Sequence, residues 1–352
     1  MAHQRKDRRR PDARPSLTRR IALASPLALL ARPARAAEPL RIGLLHTLSP
    51  APLYVAMERG YFRDEGLDAE FRFFEAAQPI AAAAVSGDID VGITALTGGF
   101  FSLAGRGTLK VIGGGLHEQR GYEGTAILVS RKAYDAGLTS PAKLGGHSFG
   151  ITQFGSSFHY MVGRIAEAEG FDLKSVTLRP LQAVGNMVAA VRTGQVDATM
   201  AITSMAKPLE ASGEARIIGW AGDIVPYQIT AVFAPVRMIA ERPDALHRFA
   251  RAYQRGVANY RDAFLRLDAA GQPVRDAKAA ALIPLIQKYV YTGDADGPRK
   301  ISEGVGYYDD GARLDVRDVG AQLRWFTDQG LVKTPAEAAE IIDTRFLGAL
   351  PG

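Results

Sequence analysis

The chain has 352 residues, a formal net charge of +6 and no cysteine. Residues 1–36 hold ten Lys or Arg against two Asp, which leaves 33 basic side chains (43 less 10) against 35 acidic ones (37 less 2) in the other 316. A remainder at −2 gives no reason to invoke nucleic acid, and the missing cysteine excludes a disulfide framework, a thiolate metal site, a cysteine nucleophile and a lipid-modified N-terminal cysteine.

Residues 1–36 show the three parts of an export signal: a basic start, an apolar run over 21–31, and Ala34-Arg35-Ala36 as an A-x-A cleavage site. The run has 11 residues, too short for a ~30 Å hydrocarbon core. Thr18-Arg19-Arg20-Ile21-Ala22-Leu23 resembles the twin-arginine export motif, and Arg32 and Arg35 after the run suit that route better than the Sec route. The expected product begins at Ala37, is free in the periplasm and is long enough for two lobes with sizeable cores.

From residue 40 short apolar runs alternate with helix-like segments. Strands are expected over 40–45, 69–74, 91–94, 109–113, 126–130, 148–152, 176–178, 198–202, 215–219 and 229–234, with helices over 52–59, 79–85, 158–169 and 186–192 between them. This alternation predicts an α/β fold with mostly parallel sheets. Two stretches echo each other: Ser86-Gly87-Asp88-Ile89-Asp90-Val91 and Thr193-Gly194-Gln195-Val196-Asp197-Ala198. Each is a helix end, a glycine suited to a left-handed stop, an aliphatic residue, an aspartate and a buried strand. Their spacing suggests two lobes of similar build. After Pro235 the pattern turns helical: Leu246, Phe249, Ala250, Tyr253, Val257, Tyr260 and Phe264 recur at steps of three and four behind Pro243, a core face rather than a cofactor box. Further helix is expected over 283–289 and 319–326.

Ligands of open α/β sheets bind at the carboxyl ends of the strands. Three loops fall there: His46-Thr47-Leu48-Ser49, Thr94-Ala95-Leu96-Thr97-Gly98 and Gln153-Phe154-Gly155-Ser156-Ser157. The third precedes a helix, where free N–H groups and the helix dipole suit an anion, although Ser156 or Ser157 would also serve as plain caps. The candidate site residues are His46, Ser49, Thr94, Thr97, Gln153, Gly155, Ser156, Ser157, His159, Asn186, Thr203 and Tyr227, with Phe154 and Phe158 as aromatic neighbours. These loops contain no Lys or Arg, so a bound anion would rest on amides and hydroxyls unless Arg120 reaches in. No two of the six histidines have metal-ligand spacing on one helix. Ser156 lacks the G-x-S-x-G turn of a nucleophile, and Gly113-Gly114-Gly115 lacks the Lys of a phosphate-binding loop. Asp309-Asp310 and the Glu65, Asp68 pair read as solvated turns.

Four motifs in order carry a family resemblance: Leu53-Tyr54-Val55-Ala56-Met57-Glu58-Arg59-Gly60-Tyr61-Phe62 with Glu65-Gly66-Leu67; Ser86-Gly87-Asp88-Ile89-Asp90-Val91-Gly92; Lys143-Leu144-Gly145-Gly146 before Gly155-Ser156-Ser157; and Trp325-Phe326-Thr327-Asp328-Gln329-Gly330-Leu331. Together they resemble the nitrate, taurine and alkanesulfonate class of periplasmic solute-binding proteins of ABC transporters, with the related thiamine-pyrimidine precursor binders. The resemblance implies a type II two-lobe fold, with residues 37–122 and 235–352 in lobe 1, 123–234 in lobe 2, two hinge crossings and the helical tail on lobe 1. It implies a monomer that captures a small organic anion, a sulfonate or carboxylate, and delivers it to a membrane permease and its ATPase, with no cofactor. The alternatives are a thiamine-type pyrimidine or other heterocycle as ligand, or a pyrimidine-synthase-like enzyme. That enzyme uses pyridoxal phosphate and a Cys-rich motif, which a chain without cysteine does not carry.

Overall fold

A computed structural model describes residues 37–351 apart from Pro335, so the expected export segment lies outside the described residues. In chain order the strands are β1 (Glu38–Leu45), β2 (Leu67–Phe74), β3 (Val91–Ala95), β4 (Leu109–Gly114), β5 (Leu116–Glu118), β6 (Thr125–Ser130) and β7 (Ser148–Ile151). They continue with β8 (Thr177–Pro180), β9 (Ala198–Ile202), β10 (Ala215–Trp220), β11 (Tyr227–Gln228), β12 (Thr230–Pro235) and β13 (Tyr307–Tyr308). They build two five-stranded sheets, β2-β1-β3-β12-β4 and β8-β7-β9-β6-β10, and a short ribbon, β11-β5-β13.

The two large sheets share one pattern. In the first, β1 pairs in parallel with β2 and β3, while β12 runs antiparallel to β3 and β4. In the second, β7 pairs in parallel with β8 and β9, while β6 runs antiparallel to β9 and β10. Parallel neighbours need crossover connections, and helices at Ala51–Glu58, Ala77–Ser86, Ser157–Glu169 and Val184–Arg192 supply them. Strands covered on both faces become continuously apolar, as in the fully buried β3, β6 and β12.

The sequence echo is one structural device used twice. Gly87 and Gly194 hold φ of +94° and +71° at the helix ends, where an L-residue would be strained. Asp90 Oδ2 then accepts the N–H of Arg41 at 2.8 Å on β1, and Asp197 Oδ2 accepts the N–H of Ser148 at 2.9 Å on β7; both bonds span 49 residues. Asp90, just before β3, is thereby tied to β1, and Asp197, just before β9, is tied to β7.

One expected boundary moves. Residues 230–234 were expected in the second lobe, yet β12 is hydrogen-bonded between β3 and β4, so the chain has already returned to the first sheet at Thr230. The ribbon was not expected at all, because strands of two or three residues carry no periodicity. The long helix Pro243–Phe264 buries its seven-residue apolar face. It lies so close to the helix Ala51–Glu58 that a Cβ on Gly256 would stand 2.3 Å from the Pro52 carbonyl oxygen. The helix Val316–Asp328 meets both halves: Phe326 packs against Phe101 with ring centroids 5.7 Å apart, and Trp325 covers Gly163. Asp309, expected in a solvated turn, is buried against His117 at 2.7 Å. Among the described residues no helix is long and apolar enough to cross a membrane.

Candidate functional site

The carboxyl ends of β1, β2 and β3 face those of β7, β8 and β9 across a cleft, and the amino ends of the reversed strands β6 and β12 reach the same place. Between them lies a pocket of about 60 Å³. Leu45 ends β1, and Thr47 and Ser49 follow it; Ala76, Ala77 and Gln78 follow β2; Ala95 and Thr97 belong to β3 and its loop. Opposite stand Thr152, Gln153, Ser156, Ser157 and Phe158 after β7, Val184 after β8 and Ile202 at the end of β9. Thr125, Ile229 and Thr230 close the floor.

None of these eighteen residues carries an ionisable side chain. Eight are hydroxyl residues, two are amides and the rest are apolar, so any charge on a ligand must be met by dipoles. Several hydroxyls have a fixed role. Thr97 Oγ1 accepts the N–H of Phe100 at 3.0 Å, Ser156 Oγ accepts that of His159 at 3.4 Å, and Thr230 Oγ1 accepts that of Leu116 at 2.6 Å. A hydroxyl whose lone pair is used this way keeps its own hydrogen to donate. Three donors are therefore available at the pocket wall. Two helices add more: Ala77–Ser86 and Val184–Arg192 begin behind Ala76 and Ala183, neither of which caps them through a side chain. Their first-turn N–H groups and positive dipole ends meet the pocket at Ala77, Gln78 and Val184.

Of the twelve expected site residues, Ser49, Thr97, Gln153, Ser156 and Ser157 line this pocket. Thr94 lies in an adjoining cavity of about 10 Å³, its buried Oγ1 without a hydrogen-bond partner. Gly155 shapes the turn behind the wall with φ +78°. The other five point elsewhere. His46 is exposed, its Nε2 2.6 Å from the Tyr289 carbonyl oxygen. His159 is buried and accepts the N–H of Gly155 on Nδ1 at 3.2 Å; burial lowers its pKa, so the ring is neutral. Asn186 donates to the Leu181 carbonyl at 2.8 Å and Thr203 to the Gly124 carbonyl at 2.7 Å. Tyr227 is sealed against Tyr160, and Arg120 is exposed and off the pocket wall.

Thr47, Gln78, Thr125, Thr152 and Thr230 were not among the expected twelve. Gln78 follows the carboxyl end of β2 and was open to the same rule that found the other loops. Thr125 and Thr230 are the first residues of the two reversed strands, whose amino ends necessarily lie beside the carboxyl ends of their neighbours.

The fold is that of the periplasmic binding proteins, shared with structures of low sequence identity. The chain belongs to the NMT1/THI5-like family, whose model matches residues 48–262. Among solved structures, the alkanesulfonate-binding protein SsuA from Xanthomonas axonopodis pv. citri, bound to MOPS, aligns at 19% identity over 88% of this chain and 100% of its own, with a TM-score of 0.68. The ligand-binding component of an ABC-type import system from Staphylococcus aureus, with zinc bound, aligns at 13% identity over 88% and 98%, with a TM-score of 0.67. The fold also hosts catalysis: the desulfurization enzyme DszB aligns at 16% identity over 88% and 97%, with a TM-score of 0.57. A comparison with curated protein sequences finds no significant match.

Proposed function

We propose that this protein is the periplasmic solute-binding component of an ABC importer and that its ligand is a small organic anion, a sulfonate or a carboxylate. The carrying observation is a pocket without ionisable side chains whose fixed polar groups are donors: the hydroxyls of Thr97, Ser156 and Thr230 and two uncapped helix N-termini. Such a site holds a negative charge without an ion pair. Ligand contacts from both sheets favour a closed cleft by no more than their differential affinity for it, and the closed form is what a permease would read. The S. aureus neighbour is named as a component of an ABC import system and the Xanthomonas one as a sulfonate binder, which supports both halves of this reading.

Binding is favoured over catalysis because the pocket wall offers no general acid or base and the chain has no cysteine. A heterocycle is the second reading. Gln78, Gln153 and Phe158 on the wall supply amides and an aromatic face for one. Short-chain sulfonates, carboxylates, pyrimidines and inorganic anions should be compared by thermal shift and calorimetry. One organic anion should saturate the protein and, near 100 times its dissociation constant, add about 2.7 kcal/mol of stability. No shift with any member, or turnover of one, defeats the binder reading; a shift with pyrimidines alone replaces the anion.

A further inference from the structure

Glu118 is wholly buried on β5, where the chain leaves the first sheet for the second. Both of its carboxyl oxygens lie 3.1 Å from the N–H nitrogen of Thr125, and Oε1 is in short contact with Thr125 Oγ1. Gly124 makes the approach possible, since a Cβ there would stand 2.3 Å from Oε2. Among the described residues no Lys or Arg bonds to this carboxyl. The adjacent His117 ring is committed to Asp309 at 2.7 Å, and Tyr227 faces Glu118 across the β11–β5 ladder. Of the nearby acids, Asp318 accepts from Gln228 and Gln322, and Asp223 accepts the N–H of Gly121. Glu118 therefore sits in a dry site whose nearest cation, the His117 ring held despite burial toward its protonated form by Asp309, is already paired, and its main side-chain partner, Thr125, is on the pocket wall.

An ionised carboxylate only accepts hydrogen bonds, so it would draw in the Thr125 hydroxyl hydrogen and leave a lone pair facing the ligand. It would also place an unpaired buried charge behind a pocket built of donors. We propose that Glu118 is a neutral acid whose O–H donates to Thr125 Oγ1, turning the Thr125 hydroxyl hydrogen into the pocket as a further donor to the ligand. Glu118 is thus a positioning residue that selects a ligand with an acceptor at that point, and its assignment to an anion rests on the function proposed above. Burial acts in the same direction, raising the carboxyl pKa above its ordinary range.

The infrared spectrum of the ligand-free protein at neutral pH tests the protonation state. Wild type should show the carbonyl stretch of a protonated carboxyl that Glu118→Gln removes; a carboxylate band lost in its place overturns the proposal. Titration with ethanesulfonate and propionate tests the orientation. Glu118→Gln, whose amide N–H replaces the acid proton, should keep affinity within about twofold, while Glu118→Ala and Thr125→Val should each lose roughly tenfold or more. A loss in Glu118→Gln equal to that in Glu118→Ala overturns the proposal. The protonated band in a protein that binds neither probe supports the neutral acid and defeats the anion reading alone.

Discussion

The backbone N–H of Gly98 donates to the carbonyl of Gly155 at 2.9 Å. Gly98 opens the helix after β3 and Gly155 lies in the turn after β7, so one main-chain bond joins the two sheets beside the pocket. Gly155 holds φ +78°, a conformation that costs an L-residue roughly 1–2 kcal/mol. Gly155→Ala should lower stability by about 1 kcal/mol in urea and weaken ligand binding as well. Gly194→Ala is the control: its φ is +71°, nothing lies within 4 Å of an added Cβ, and it is off the pocket wall. It should lose similar stability and keep full affinity. If affinity is equal in the two variants, the Gly98–Gly155 bond has no part in closure.

Ser156 and Ser157 both line the pocket but have different structural duties. Ser156 is the N-cap of the helix Ser157–Glu169, whereas Ser157 Oγ has no partner among the described residues. Ser156→Ala should therefore cost about 1 kcal/mol of stability together with affinity. Ser157→Ala should leave the urea midpoint unchanged and lower affinity for an anionic ligand by about tenfold. Calorimetry and denaturation of the same two preparations separate cap from contact, and unchanged affinity in Ser157→Ala removes that hydroxyl from the site.

The fold was legible because its two halves repeat a local device with a chemical reason. Gly87 and Asp90, then Gly194 and Asp197, mark a helix stop and the start of a buried strand, and alternating runs place the remaining long strands to within two residues. The pocket was only half legible. A loop at the end of a strand identifies a place in space, but the direction of each side chain depends on partners remote in sequence. His46 looked available until the Tyr289 carbonyl, 243 residues away, took its Nε2. Thr125 and Thr230 were hidden for the opposite reason. Each opens a reversed strand, and which strand reverses is settled by sheet pairing rather than by any local pattern.

Asp318 gives stability a pH dependence of unusual sign. Its Oδ2 accepts from the Gln228 N–H at 2.9 Å and from Gln322 Nε2 at 2.7 Å, and burial pushes its pKa up to about 6. The folded protein then holds a proton that the unfolded chain, with a pKa near ~3.9, releases. Stability from this group is present below pH ~4 and is lost as pH rises through about 6. Asp90 behaves oppositely: despite burial, the Arg41 hydrogen bonds hold its pKa below the usual range, so its contribution is lost only as pH falls below ~3.9. Asp318→Asn retains an acceptor for both donors and removes the charge. It should gain on the order of 1 kcal/mol at pH 7 and flatten the melting curve between about pH 4 and 6. A variant that melts lower than wild type at pH 7 would show that the charge itself is stabilising.

Trp325 and Gly163 fit so closely that the glycine cannot be filled. A Cβ on Gly163 would stand 2.2 Å from Trp325 Cζ2. The indole has little room to yield, because its Nε1 donates to Glu167 Oε1 at 3.0 Å and its ring meets His159, Tyr160 and Phe326 edge-on at 5.2–5.4 Å. Alanine gains about 1 kcal/mol over glycine inside a helix, while overpacking costs about 1–3 kcal/mol. With the ring held on three sides the second effect wins, and Gly163→Ala should lose about 1 kcal/mol. Phe326, the next residue, leans on Phe101 of the first half, so a displaced Trp325 disturbs packing on both sides of the cleft. Its fluorescence should shift, and Trp325→Phe in the Gly163→Ala background should recover part of the loss by making room for the methyl group. If Gly163→Ala is instead more stable than wild type with an unchanged spectrum, the indole moves freely and the helix Val316–Asp328 does not lock the two halves through this contact.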